Sequence, residues 1–200
     1  KKVITTKGTY MGKTVIIATG AQPKMVGFKG ELELRGRGVS YCATCDADFY
    51  TDLPVAVIGG GDSAIQEALY LTKFASKVTI IHRRQGFRAA QYLVDKAKNH
   101  EKIEFLLDTV VEEATEVKGL LTGLQVKNVL TGEVSHFDTE GVFVFVGYEP
   151  ISALFKEQIQ MNEFGEIITD VYMRTNVAGV FAAGDIRETT IRQVVTAAAD

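Results

Sequence analysis

Val55-Ala56-Val57-Ile58-Gly59-Gly60-Gly61-Asp62-Ser63-Ala64, followed further on by Val78-Thr79-Ile80-Ile81-His82-Arg83-Arg84, is the stretch that decides the fold. A strand covered on both faces shows a continuous apolar run rather than alternation, so Val55–Ile58 reads as a buried parallel strand. From Asp62 to Ser76 the positions Ile65, Ala68, Leu69 and Thr72 recur at helical spacing. Val78–Ile81 is a second buried strand, and the three pieces make a βαβ unit with a crossover of ordinary length. The glycines satisfy G-x-G-x-x-A in the context that gives that pattern meaning, after a strand and at the opening of a helix. Gly59 permits the tight turn, Gly61 lets the backbone approach a pyrophosphate at the helix N-terminus, and Ala64 is small enough for close packing. Asp62 and Ser63, which open the helix, complete this set of candidate cofactor-binding positions.

The end of the second strand selects the nucleotide. An NAD site places an acid there to accept hydrogen bonds from the ribose 2′-hydroxyl. This chain instead has His82-Arg83-Arg84, with Arg88 four residues beyond Arg84. Guanidinium groups match a 2′-phosphate bidentately and an acid would repel it, so NADPH is expected over NADH.

Upstream of the glycines, Tyr41-Cys42-Ala43-Thr44-Cys45-Asp46 holds both cysteines of the 200-residue chain. Two intervening residues let one thiolate attack a disulfide while its neighbour stays close enough to resolve the mixed disulfide. Zinc is the weaker reading. It takes four ligands, and the histidines present, His82, His100 and His136, have no spacing that would supply the other half of a site, so no metal is expected.

Composition agrees with a glycine-turned α/β fold, since 19 glycines stand against 3 prolines and 46% of residues are hydrophobic. A formal charge of −3, with 22 basic and 25 acidic residues interspersed, leaves no polybasic stripe for nucleic acid or an anionic membrane. No apolar run approaches a membrane span and the N-terminus lacks a signal-peptide pattern, so a cytoplasmic location with a redox-active dithiol is expected. Val3–Thr6 and Thr14–Ala18 read as strands, and Lys24–Gly38, polar and glycine-rich, as a linker or domain crossing. Ala89–Asn99 reads as a helix and Ile103–Leu107 as a strand. Val110–Phe137 reads as an antiparallel meander turning at Gly119, Gly123 and Thr131-Gly132. Gly141–Gly147 returns as a buried strand. The chain opens without a methionine and stops on a helical pattern after Gln193, which suggests an internal piece of a longer protein.

Taken together, Cys42-Ala43-Thr44-Cys45-Asp46, Gly59-Gly60-Gly61-Asp62-Ser63-Ala64 and His82-Arg83-Arg84 with Arg88 resemble the low-molecular-weight, bacterial-type thioredoxin reductase family. Ala18-Thr19-Gly20-Ala21 is similar to that family's outgoing crossing and Gly147-Tyr148-Glu149-Pro150 to its return crossing. Gly179-Val180-Phe181-Ala182-Ala183-Gly184-Asp185 resembles the second flavin motif. The resemblance implies an α/β fold in which a Rossmann-like three-layer NAD(P)-binding domain, residues 24–149, is inserted in a split, incomplete FAD-binding domain, residues 1–23 and 150–200. It assigns Gly184 and Asp185, with Arg192 and Gln193 beyond them, to the flavin. One departure is Asp46-Ala47-Asp48, where the family has Asp-Gly and then an apolar residue. A positive φ at Ala47 would cost about 1 kcal/mol.

The activity implied is NADPH-dependent reduction of a thioredoxin disulfide, by a homodimer when full length. Electrons would pass from NADPH through FAD to the dithiol, with Cys45 facing the flavin, Cys42 attacking the substrate and Asp46 serving as general acid and base. Two other readings stay open at this point: the flavoprotein subunit of alkyl hydroperoxide reductase and a non-catalytic NADPH-binding redox module.

Overall fold

The computed structural model describes residues 1–189 and 191–200. The chain divides into two compact units, one spanning Pro23–Gly147 and one assembled from Lys1–Gln22 with Tyr148–Asp200. Its strands and helices in order are β1 (Lys2–Thr5), β2 (Gly8–Met11), β3 (Val15–Ile17), β4 (Ala21–Pro23), β5 (Val39–Ser40), α1 (Ala43–Asp46), β6 (Pro54–Gly59), α2 (Asp62–Leu71) and β7 (Lys77–Ile81). There follow α3 (Gln91–Lys98), β8 (Ile103–Leu106), β9 (Thr109–Val117), β10 (Leu120–Asn128), β11 (Val134–Asp138), β12 (Gly141–Phe145), β13 (Tyr148–Pro150), β14 (Val180–Ala182) and α4 (Val194–Ala199).

In the Pro23–Gly147 unit a five-stranded sheet runs in the order β5-β12-β6-β7-β8, every neighbouring pair parallel. Side chains alternate between its two faces. Val55, Val57, Val78, Ile80 and Phe143 point to the layer holding α2 and α3, where they meet Ile65, Ala68, Leu71 and Leu93. Ala56, Ile58, Ile81, Val142 and Val144 point the other way, onto Val111, Leu121, Leu124 and Val126 of the antiparallel sheet β11-β10-β9. The result is the expected three-layer α/β arrangement: helices, a parallel sheet covered on both faces, and a meander. Burial on both faces is the physical reason the strand sequences carry apolar runs without alternation.

The other unit has a smaller core. β3 pairs in parallel with β14, and Ile17, Ile167, Ala182 and Ile186 pack together there. β1 and β2 form an antiparallel hairpin exposed along its whole length, and β4 pairs with β13.

Several local expectations need correction. Gly123 is no turn: it lies inside β10, where the pairing with β9 shifts register between Leu121 and Gly123. A β-carbon at Gly123 would lie 2.6 Å from the His136 ring and 2.9 Å from the Phe137 carbonyl oxygen, so the glycine serves a close cross-strand approach. Residues 24–38 are not a free linker. Phe28, Glu31 and Leu34 are buried, and Lys29 bridges to Glu113 beside β9. The buried Glu31 carboxylate organises this segment, accepting hydrogen bonds from the backbone of Val26 (3.1 Å) and Gly27 (2.6 Å) and from the Tyr41 hydroxyl (2.8 Å). The helix after the glycines ends at Leu71 rather than Ser76.

Candidate functional site

β5, β12, β6 and β7 are parallel, so their carboxyl ends open at one edge of the sheet, which is where ligands of open α/β sheets bind. Three of the sequence motifs follow those ends. The cysteines come after β5, the glycines after β6, and the arginines after β7.

Cys42 and Cys45 form a disulfide across the first turn of α1, with their Cα atoms 5.3 Å apart. Cys45 is exposed and Cys42 half-buried. Ser40, which the sequence reading passed over, sits beneath them. Its hydroxyl donates to the Asp46 carboxylate (Oδ2, 2.6 Å) and accepts from the Cys42 backbone N–H (3.1 Å). One side chain thus fixes the acid relative to the first cysteine, and the other Asp46 oxygen has no hydrogen-bond partner among the described residues. Burial, and then the charge of Asp46, push the Tyr50 phenol above its ordinary range, which keeps it protonated beside the acid. Ala47 takes φ −56°, an ordinary helical value, so no strain accompanies the missing glycine; its side chain is 2% exposed. Asp48 is exposed and makes no side-chain hydrogen bond to Asp46.

The glycines of the β6–α2 turn do separate jobs. At Gly59, φ is +155° and a β-carbon would fall 2.5 Å from the Phe145 carbonyl oxygen and 2.6 Å from the Ala64 β-carbon. At Gly60 it would collide with the His82 ring at 2.2 Å, a role the motif does not announce. At Gly61 nothing lies within 4 Å. The backbone is bare there and faces open space at the N-terminus of the ten-residue helix α2. Asp62 turns its carboxylate to the backbone N–H of Ala90 (2.8 Å), tying the helix start to the arginine loop, and Ser63 is exposed.

A cleft of about 330 Å³ runs between these turns, with Gly60, Arg83, Arg84, Arg88, Lys24 and Phe145 among its walls and no carboxylate lining it. Arg83, Arg84 and Arg88 form no ion pair among the described residues. The unpaired guanidinium groups, Lys24 and the helix N-terminus together suit a polyanion. His82 plays a different part from its arginine neighbours. Its ring stacks on Phe87 (centroids 5.0 Å apart), covers Gly60 and lies 3.1 Å from the Gly86 carbonyl oxygen. Burial, reinforced by the three arginines, pushes its pKa down, so it packs as a neutral ring.

In the other unit, Gly184 and Asp185 follow β14 and line a second cavity of about 270 Å³. Asp185 Oδ1 is buried with no hydrogen-bond partner among the described residues. A buried carboxylate oxygen left so calls for a donor, and the hydroxyl of a polyol chain such as a flavin's ribityl group is one. The Arg192 guanidinium pairs with the Glu166 carboxylate and lies over the Tyr148 ring at 5.5 Å, while its Nε is buried and unpartnered. Gln193 caps α4.

Comparison with known proteins agrees with this picture. The family model for pyridine nucleotide-disulphide oxidoreductases matches residues 1–200. A thioredoxin reductase of Peptoclostridium litorale is 55% identical over 200 residues, covering 97% of this chain and 63% of the relative. One from Bacillus subtilis strain 168 is 49% identical over 191 residues, covering 96% and 60%. The crystal structure of thioredoxin reductase from Streptococcus pyogenes MGAS5005 superposes with a TM-score of 0.93 at 44% identity, covering all of this chain and 65% of that one. The chain therefore spans a little under two thirds of the length of the relatives it matches. With the disulfide and the anion-ready cleft opening from one edge of a three-layer α/β fold, the chain belongs to the pyridine nucleotide-disulphide oxidoreductase family.

Proposed function

We propose that this chain is the dithiol-bearing and NADPH-binding part of a thioredoxin reductase, together with portions of its FAD domain. The observation that carries the reading is the presence, at one sheet edge, of the Cys42–Cys45 disulfide and a cleft lined by Arg83, Arg84 and Arg88 without a carboxylate. The arginines hold the 2′-phosphate, and the bare backbone at Gly61 with the N-terminus of α2 takes the pyrophosphate. In the second unit, Gly184 and Asp185 would hold the ribityl side of FAD, and Arg192 and Gln193 would complete the residues that hold it. NADPH and FAD, when bound, supply the two electrons that open the disulfide.

The chain's own chemistry is thiol exchange. The Cys42 thiolate attacks one sulfur of the partner's disulfide, forming a mixed disulfide and expelling the partner's other sulfur as a thiolate, to which Asp46 gives a proton. The Cys45 thiolate then attacks Cys42 Sγ. That re-forms the Cys42–Cys45 bond and expels the second partner sulfur as a thiolate, which takes the proton given up by the Cys45 thiol and carried by Asp46, so the partner gains two electrons and two protons. Ser40 holds Asp46 at the dithiol throughout, through the 2.6 Å bond. A thioredoxin, with its exposed disulfide, is the partner, and a homodimer in the reducing cytoplasm suits a dithiol that must stay redox-active. Among the described residues no helix is long and apolar enough to cross a membrane.

The test is a flavin spectrum of the full-length protein followed by NADPH-dependent thioredoxin reduction. The wild type should turn over with NADPH far better than with NADH. Cys42→Ser should abolish turnover, whereas Cys45→Ser should accumulate a mixed disulfide with thioredoxin, and full activity in Cys42→Ser would refute the assignment.

A further inference from the structure

We infer that Asp108, acting through Gln85, is a positioning residue that aims the arginine loop at the 2′-phosphate; the inference rests on the NADPH reading above. The loop from His82 to Arg88 is anchored at both ends by backbone bonds. His82 N–H donates to the Leu106 carbonyl (3.0 Å) and Thr109 N–H to the His82 carbonyl (3.0 Å), while Arg88 N–H donates to the Gly60 carbonyl (2.8 Å). Between those anchors lie Arg83 and Arg84, both exposed and, among the described residues, without an ion pair to orient them. The tether from the apex of the loop to the neighbouring wall is a side-chain bond, from Gln85 Nε2 to Asp108 Oδ2.

Asp108 is built for that task. It is 8% exposed, its carbonyl accepts the Val129 N–H at 2.7 Å, and its φ of 51° lies in the left-handed region that aspartate tolerates better than most residues. Neither Asp108 nor Gln85 lines the cleft, although Thr109, the next residue, does. The carboxylate is therefore turned behind the wall. An acid close to a nucleotide site accepts the ribose hydroxyls of NAD and repels a phosphate. Here an amide N–H covers that acid, and the same bond fixes the backbone that presents the guanidinium groups.

The experiment compares binding of 2′,5′-ADP and 5′-AMP to the full-length protein by calorimetry. Arginine pairing with the extra phosphate should give the wild type a preference of about tenfold or more for 2′,5′-ADP. Gln85→Leu cannot donate the bond. Asp108→Gly keeps the left-handed backbone but removes the acceptor. Both should cut the preference to about threefold or less, with 5′-AMP affinity unchanged, whereas Asp108→Asn, which retains an acceptor and tolerates the same φ, should preserve it. A role in stability alone would lower the melting temperature without moving this ratio. If Gln85→Leu and Asp108→Gly discriminate like a discriminating wild type, or Asp108→Asn loses as much as Asp108→Gly, the positioning role is overturned and the NADPH reading stands. A wild type with no preference overturns both.

Discussion

Replacing Gly61 by alanine separates a glycine kept for a ligand from one kept for the fold. A β-carbon there meets no atom within 4 Å, and the residue's φ of −98° and ψ of 178° are open to alanine. As an N-cap, alanine ranks below glycine by roughly 0.5–1 kcal/mol, so the melting temperature should fall by about 2 °C. The new methyl, however, would occupy the space proposed for the pyrophosphate, and on that placement NADP⁺ affinity should drop by about tenfold or more, since every 1.4 kcal/mol of lost contact is tenfold. Gly59→Ala is the complementary control, in which the fold rather than the ligand carries the loss. Its β-carbon would sit 2.5 Å from a backbone oxygen and 2.6 Å from Ala64, at φ +155°, so neither the β12 end nor the first turn of α2 can yield cheaply. Overpacking of about 1–3 kcal/mol adds to about 1 kcal/mol of backbone strain, a fall of about 10 °C. Circular dichroism melts and calorimetric NADP⁺ titrations read the two quantities separately. Wild-type NADP⁺ affinity in Gly61→Ala would refute the placement of the pyrophosphate, and a wild-type melt in Gly59→Ala would refute the packing argument.

Three further outcomes are expected. Arg83→Ala should weaken 2′,5′-ADP by about tenfold, the worth of a charged hydrogen bond, while sparing 5′-AMP in the same titration. Glu31→Ala strips the acceptor from Val26, Gly27 and Tyr41 and should destabilise the chain by about 2 kcal/mol in urea melts; a change in midpoint within error would show that the 24–38 segment is held otherwise. The His82 pKa is lowered by burial, so the folded chain binds fewer protons than the unfolded one as pH drops below the ordinary imidazole value near 6.5. Stability is then unpenalised at pH 8 and is lost as pH falls from about 7 toward 5. His82→Phe, which keeps the stack on Phe87, should show a shallower decline over that range in melts at stepped pH.

The parallel strands were legible because both their faces are covered, leaving Val55–Ile58 and Val78–Ile81 as apolar runs that no half-exposed strand would show. The G-x-G-x-x-A pattern was legible because backbone geometry alone requires Gly59. Gly123 misled for the same reason in reverse and the role of Gly60 went unread: they make room for the rings of His136 and His82, partners that chain proximity does not reveal. Residues 24–38 read as a linker because their order depends on one buried carboxylate rather than on any periodicity. The Gln85–Asp108 bond spans 23 positions and has no local signature. Ser40 came closest to being found, two residues before the cysteine whose N–H it accepts.

The dithiol helix is fastened from below. Ala43 and Ala47, one turn apart and 0% and 2% exposed, share the face that α1 and the turn after it press into the core. The two sulfurs therefore ride on a platform whose shape does not depend on the bond between them. Opening and closing that bond then need move little beyond the sulfur atoms, a small reorganisation cost in either direction, which suits the two-way electron carrier proposed above.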